Sequence, residues 1–185
     1  MDRLQRAAVL TCLIRELREH GSWCGETHVQ KASLFLQELL SVPLGFEFIL
    51  YKHGPFSFDL RDELTSYRAD GFVELEPQWP YGPRINSTDQ SAYVQRSFAK
   101  TVAQYESCIE FVAEKLGSKG VAELERLATA LFVTLHRNPN SPMQDRAEHL
   151  SRIKPHVSLD DATVAVACVD QIIAEAQTGS CTTAR

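Results

Sequence analysis

The chain has 185 residues, 44% of them hydrophobic and 23% charged, proportions that build one domain, or a domain with a sizeable helical extension, around a core needing no metal or disulfide support. Its formal net charge is -5, a balance that weighs against broad nucleic-acid binding, which relies on clustered Lys and Arg, and leaves proteins and small molecules as partners. Its apolar runs fall far short of a membrane span, so no membrane partner is expected.

The chain opens on Met1-Asp2-Arg3-Leu4-Gln5-Arg6, charged at once and with no long apolar stretch, which predicts no signal peptide and a cytoplasmic protein. Residues 2–19 read as an amphipathic helix with Leu4, Ala7, Ala8, Ile14 and Leu17 at helical steps, ended by Gly21. Thr27-x-x-Gln30 predicts a capping box at the start of a second helix. There Val29, Ala32, Leu34, Phe35, Leu36, Leu39 and Leu40 cover more than one face and mark a central core helix. Pro43 and Gly45 break the pattern, and residues 46–51 read as a short aromatic strand. Gly54-Pro55 makes a turn. Ser57 caps a third helix, with Asp59 near its positive end and Phe58, Leu60, Leu64 and Tyr67 apolar, stopped by Asp70-Gly71. Residues 72–76 form a second strand, Pro77, Pro80, Gly82 and Pro83 a loop, and Arg84-Ile85-Asn86 starts a return strand. This order predicts a fold that is mainly α with a small β-sheet, winged-helix-like over residues 1–95.

Residues 96–177 read as a helical bundle packed on that part. One helix carries Val102, Tyr105, Ile109, Val112 and Leu116. The next, 121–136, carries Leu124, Leu127, Ala128, Leu131 and Leu135. Residues 138–142 are a turn, followed by a short polar helix with Met143, Ala147 and Leu150 inward. Ser158-x-x-Asp161 resembles a capping box for a last helix bearing Ala165, Val169, Ile172 and Ile173. Residues 178–185 read as a flexible tail. The apolar surface of these helices leaves homodimerisation open, with no heptad run to specify it.

The chemistry-bearing residues argue against an enzyme. His20, His28, His53, His136, His149 and His156 include no H-x-x-x-H pair, so neither metal nor cofactor is expected. Cys12, Cys24, Cys108, Cys168 and Cys181 form no C-x-x-C pair and no disulfide framework. Cys24 precedes a helix N-terminus, where a thiol can be activated, but Trp23-Cys24 reads more simply as an apolar plug. No nucleophile elbow and no phosphate-binding glycine pattern occurs. Binding residues are easier to name. Tyr51, His53, Phe56 and Arg61 flank the Gly54-Pro55 segment, and Trp79, Tyr81 and Arg84 sit in the wing, together the candidate surface for a protein partner. The same residues also have an architectural reading as turn, staple and cap. Arg137, Arg146, Arg152 and Lys154 form a candidate patch for an anion or acidic partner, or a solvated helix face. A winged-helix regulator would read DNA with the third helix and a positive face of Arg61, Arg68, Arg84 and Arg96, but Asp59, Asp62, Glu63 and Asp70 disfavour it.

Val29-Gln30-Lys31-Ala32-Ser33-Leu34-Phe35-Leu36, the Tyr51-x-x-Gly54-Pro55-Phe56-Ser57 segment and Gly71-Phe72-Val73 resemble the YwgA-like and Panacea-type group of small bacterial proteins, whose pattern is a Leu-Gln-Lys helix and a Tyr-Gly-Pro turn leading into a helix. Here Val29 replaces the Leu, and Lys52-His53 lengthen the turn. Lys154-Pro155-His156 is similar to the C-terminal part of YwgA-like proteins. The resemblance is strongest over residues 27–75. It implies a non-catalytic protein-interaction module: an antitoxin, an adaptor or a phage-defence accessory, whose partner is a toxin, protease or defence component. The family supplies no catalytic residues.

Overall fold

The computed structural model describes residues 1–136 and 141–178. Asp2 caps α1 (Arg3–Glu19): its carboxylate accepts the Gln5 N–H at 2.8 Å, and the Gln5 side chain accepts the Asp2 N–H at 3.0 Å. Every position of α1 from 7 to 14 is buried, so the helix is not the one-sided element its periodicity predicts. It is the centre of the molecule, covered by α2 (Glu26–Leu34), α4 (Asp89–Ser97), α5 (Ala99–Leu116) and the strand β4 (Tyr81–Ser87). α2 runs into one π-helical turn, Phe35–Leu39. The remaining elements are β1 (Ile49–Tyr51), β2 (Gly54–Phe56), α3 (Phe58–Ala69), β3 (Val73–Gln78), α6 (Val121–His136), α7 (Met143–Ile153) and α8 (Leu159–Thr178).

The fold is mainly α with a small β content, divided between two antiparallel hairpins, β1–β2 and β3–β4. One core cluster runs from Ala7 and Leu10 through Phe35 and Leu60 to Ile109, Leu131 and Val166, so the N-terminal part and the C-terminal helices share it. Among the described residues no helix is long and apolar enough to cross a membrane.

Several local expectations are corrected. α2 starts at Glu26 behind Gly25, with no side-chain cap; Thr27 and Gln30 form no capping box. Of residues 46–51 only Ile49–Tyr51 is strand. It pairs with β2 rather than with the wing, because the two-residue turn at Lys52-His53 closes that pairing over the shortest loop. Gly54 and Pro55 therefore lie inside a strand, not in the turn. The wing is longer than expected, β3 and β4 meeting around Trp79-Pro80. α4, capped by Thr88, was not foreseen. Ser57 does cap α3, accepting the Leu60 N–H at 3.2 Å. Ser158 accepts the Asp161 N–H at 3.1 Å, half of the expected box. Arg137, Cys181 and most of the predicted 138–142 turn lie outside the described residues.

Gln30, instead of capping, points into the core and clamps the segment that launches α3. Its Oε1 accepts the Ser57 N–H and its Nε2 donates to the Ser57 carbonyl, both at 2.9 Å. Next to it Lys31, 1% exposed, donates from Nζ to the Pro55 carbonyl at 2.7 Å. Gly54 lets this segment approach α6: its φ is +83°, and a Cβ there would meet Thr129 Oγ1 at 3.0 Å. Gln30→Leu keeps the volume and strands two buried backbone groups, so the variant is expected to lose about 3 kcal/mol of unfolding free energy. Urea titration reads this as a lower midpoint at unchanged slope; a loss under about 1 kcal/mol would deny the clamp its structural weight.

Candidate functional site

The clamped segment presents an aromatic surface. The Tyr51 ring lies 5.9 Å from that of Phe56 and 5.4 Å from that of Phe58, and Phe56 and Phe58 are 5.2 Å apart, centroid to centroid. The Arg61 guanidinium, one turn along α3, sits 5.0 Å from the Phe58 centroid. Ile49, Leu50, Tyr51 and Phe58 are all exposed, which gathers four exposed apolar side chains around one hairpin and one helix start.

His53 does not join that surface. From the β1–β2 turn its Nδ1 lies 3.6 Å from Glu125 Oε2 on α6, while His156 Nε2 lies 3.4 Å from Glu125 Oε1. Lys154 fills the space between. Its Nζ donates to the carbonyls of Tyr51 at 3.0 Å and Lys52 at 2.7 Å and forms an ion pair with Glu125 Oε1 at 3.2 Å. The cluster pins the hairpin to the C-terminal helices.

The expected patch of Arg137, Arg146, Arg152 and Lys154 is therefore not assembled. Lys154 is buried and occupied. Arg146 is buried too, bound to Asp170 through Nη1 at 2.6 Å and Nη2 at 2.8 Å and to Thr134 Oγ1 at 3.1 Å. Arg152 is exposed, and Arg137 lies outside the described residues. Arg146 answers the half-exposed Asp170 carboxylate, and Lys154 the buried Glu125 and two carbonyls, partners that periodicity does not reveal.

The wing forms the second surface. Trp79 at its tip is 96% exposed, and Tyr81 is also open to solvent. Trp23, from the loop before α2, braces the wing: its ring meets Tyr81 edge-on at 5.3 Å, its Nε1 donates to the Gly82 carbonyl at 3.3 Å, and the Arg84 guanidinium stacks over it at 4.1 Å.

Between α3 and the wing lies a groove of about 920 Å³, lined on the α3 side by Arg61, Leu64, Thr65 and Arg68 and on the wing side by Tyr81, Arg84 and Ile85, with Arg18, Trp23 and His28 also in its wall. The α3 contributions are spaced i, i+3, i+4, i+7, one stripe of the helix. Asp59, Asp62 and Glu63 lie on its other side with Arg3 and Arg6; Glu63 is paired to Arg6 Nη2 at 2.7 Å, and Asp70 to Arg3. None of the acids that disfavoured α3 as an anion reader lines the groove, although Asp62 Oδ1 lies 3.5 Å from Arg61 Nε. Arg96 sits on α4 and is not among the groove residues.

The structure accordingly joins Tyr51, Phe56 and Arg61 in one surface and Arg61, Tyr81 and Arg84 in the adjoining groove. Arg18, Trp23 and His28 were missed as groove residues, since they come from the end of α1, the loop before α2 and the first turn of α2 and meet the wing only in three dimensions; the α3 stripe was readable by spacing. Cys24 is fully buried, its Sγ donating to the Ile14 carbonyl at 3.7 Å, and burial pushes its thiol up to about 12, which removes it as a nucleophile. Among the described residues no cluster of three or more His, Cys, Asp or Glu is placed to hold a metal ion. No protein-family model matches this chain, and no curated protein is significantly similar to it.

Burial, offset in part by Glu125, brings the Lys31 ammonium down from 10.5 to about 8. Below that value folded and unfolded chains both hold the proton, and the folded state bears the desolvation cost. Between about 8 and 10.5 the folded chain releases it while the unfolded chain keeps it, so the Lys31 contribution to stability rises with pH. The stability of wild type relative to Lys31→Met is therefore expected to increase between about pH 7.5 and about pH 9.5 in paired urea titrations; a flat or falling difference would contradict it.

Proposed function

We propose that this chain is a non-catalytic, cytoplasmic protein-interaction module of the antitoxin-like, adaptor or phage-defence-accessory kind. Its docking surface runs from Tyr51, Phe56, Phe58 and Arg61 to Trp79 and Tyr81. The observation that carries the reading is the exposed aromatic cluster topped by Arg61 on a hairpin clamped from beneath. Aromatic residues and arginine dominate binding hot spots, and a rigid surface loses little entropy on docking. Exposed apolar side chains in one patch cost solubility unless a partner covers them. The resemblance of the Gln30-Lys31 helix and the Gly54-Pro55-Phe56-Ser57 segment to Panacea-type proteins supports the same reading.

A second reading, a winged-helix DNA-binding regulator, draws support from one observation: Arg61, Arg68 and Arg84 line the groove while Asp59, Asp62 and Glu63 do not. The acidic balance of the chain and the small volume of the groove count against a duplex.

Tyr51→Ser/Phe58→Ser alters two exposed rings and is expected to leave the melting temperature within about 2 °C. The partner recovered with the wild-type chain from a host carrying the native gene neighbourhood, identified and reconstituted from purified proteins, should bind the double variant at least about tenfold more weakly. Equal binding, or no stable partner for the wild type, would reject the reading.

A further inference from the structure

The groove between α3 and the wing gathers more positive charge than the aromatic surface, with which it shares Arg61. Arg18, Arg61, Arg68 and Arg84 line it, and its sole carboxylate among the described residues is Glu26. Arg18, Arg68 and Arg84 have no ion-pair partner among the described residues, whereas Arg3, Arg6, Arg15 and Arg146 are each paired with an acid. A chain of net charge -5 thus gathers four guanidinium groups around one concavity, with Glu76 attracting Arg18 and Arg84 through space without forming an ion pair, and low-dielectric walls focus their field.

The wall is built rather than incidental. The Arg84 guanidinium carbon is held over the Trp23 ring at 4.1 Å, so less side-chain freedom remains to be lost on binding. Arg18 Nη1, Arg84 Nε and His28 Nδ1 are buried without a hydrogen-bond partner. His28, from α2, is itself only 4% exposed. Arg18, Arg84 and His28 thus enter the groove wall from three elements, with the Lys119 backbone as a hydrogen-bond partner of His28. Between the charges the groove is apolar: Leu64, Val73, Leu75 and Ile85.

We propose that this groove seats an acidic peptide segment of a partner protein, with side-chain oxyanions against Arg18, Arg68 and Arg84 and an apolar side chain on Leu64, Leu75 and Ile85. The inference rests on the protein-interaction reading and names the chemistry of the partner. Guanidinium groups take carboxylate and phosphoryl oxygens alike, so a Glu-rich segment and its phosphorylated form share the site. Charge complementarity selects the occupant, and the apolar floor selects a peptide over a nucleic acid, whose backbone offers nothing apolar to fill it. About 920 Å³ is the scale of a site for a few side chains, too small for a duplex.

Fluorescence anisotropy with four labelled probes tests it: a peptide alternating Glu and Leu, the same peptide with Gln for Glu, the same with phosphoserine for Glu, and a random-sequence DNA duplex. The Glu peptide is expected to bind, more weakly as salt rises, and the Gln peptide to bind at least about tenfold more weakly. The phosphoserine peptide, tighter or weaker than the Glu peptide, sorts phosphate from carboxylate as the preferred source. Arg68→Glu, at an exposed position of α3, and Arg18→Gln should each cost about tenfold for the Glu peptide at unchanged melting temperature. Tyr51→Ser/Phe58→Ser should leave that affinity within about twofold. Equal binding of the Gln peptide, tighter binding of the duplex than of either acidic peptide at the same salt, or binding of no probe overturns the proposal. Partner capture without acidic-peptide binding overturns the groove assignment alone; acidic-peptide binding by a chain that captures no partner overturns the module reading alone.

Discussion

The grip of buried polar side chains on the backbone of residues 51–57 is the constraint from which the rest of this structure follows. Gln30 satisfies both backbone groups of Ser57, Lys31 takes the carbonyl of Pro55, and Lys154 takes those of Tyr51 and Lys52. A strand of three residues in a two-stranded hairpin is not stable by itself. These bonds hold it, because an unmet carbonyl in so dry a place costs more than the net worth of an ordinary hydrogen bond. Ser57 is also the cap of α3, so the same grip sets where α3 starts and how it lies against the wing.

The grip ties the two parts of the chain together. Gln30 and Lys31 belong to α2, Glu125 to α6, and Lys154 to the segment between α7 and α8. Glu125 stands 3.2 Å from Lys154, and its attraction opposes part of the desolvation borne by Lys31. Removing a single member of such a cluster leaves a buried charge or carbonyl uncompensated, which destabilises more than the intact cluster stabilises. Gly54 belongs to the same design: only the absence of a Cβ lets the hairpin lie against Thr129 and Glu125.

α3 then separates charge by face. Glu63 meets Arg3 and Arg6 of α1, and Asp62 reaches back to Arg61, while Arg61 and Arg68 line the groove beside the wing. A helix whose composition is more acidic than basic can in this way line a basic groove, since the field at a surface depends on which side chains face it and which are neutralised elsewhere. Arg61 belongs to both features, stacking on Phe58 and lining the groove, which makes the aromatic surface and the basic groove one continuous face.

Much of the architecture was legible from the sequence alone. Helix positions followed from apolar periodicity, the Ser57 cap from side-chain chemistry, the wing from its proline- and glycine-rich interval, and the mainly α class from the balance of the two, because each depends on residues close in the chain. The sequence also singled out Tyr51, Phe56, Arg61, Tyr81 and Arg84 as candidate binding residues. Tertiary structure alone decided what Gln30, Lys31, Arg146 and Lys154 do. Each is polar at a position that local rules assign to a cap or a solvated face, and each is instead drawn inward by a carbonyl or carboxylate from a distant element. It alone brought Arg18, Trp23 and His28 to the wing, and it alone kept the acids of α3 out of the groove lining. Local rules describe how a residue meets its neighbours along the chain; the destination of a buried polar group is set by whichever unmet partner the folded chain brings within hydrogen-bond reach.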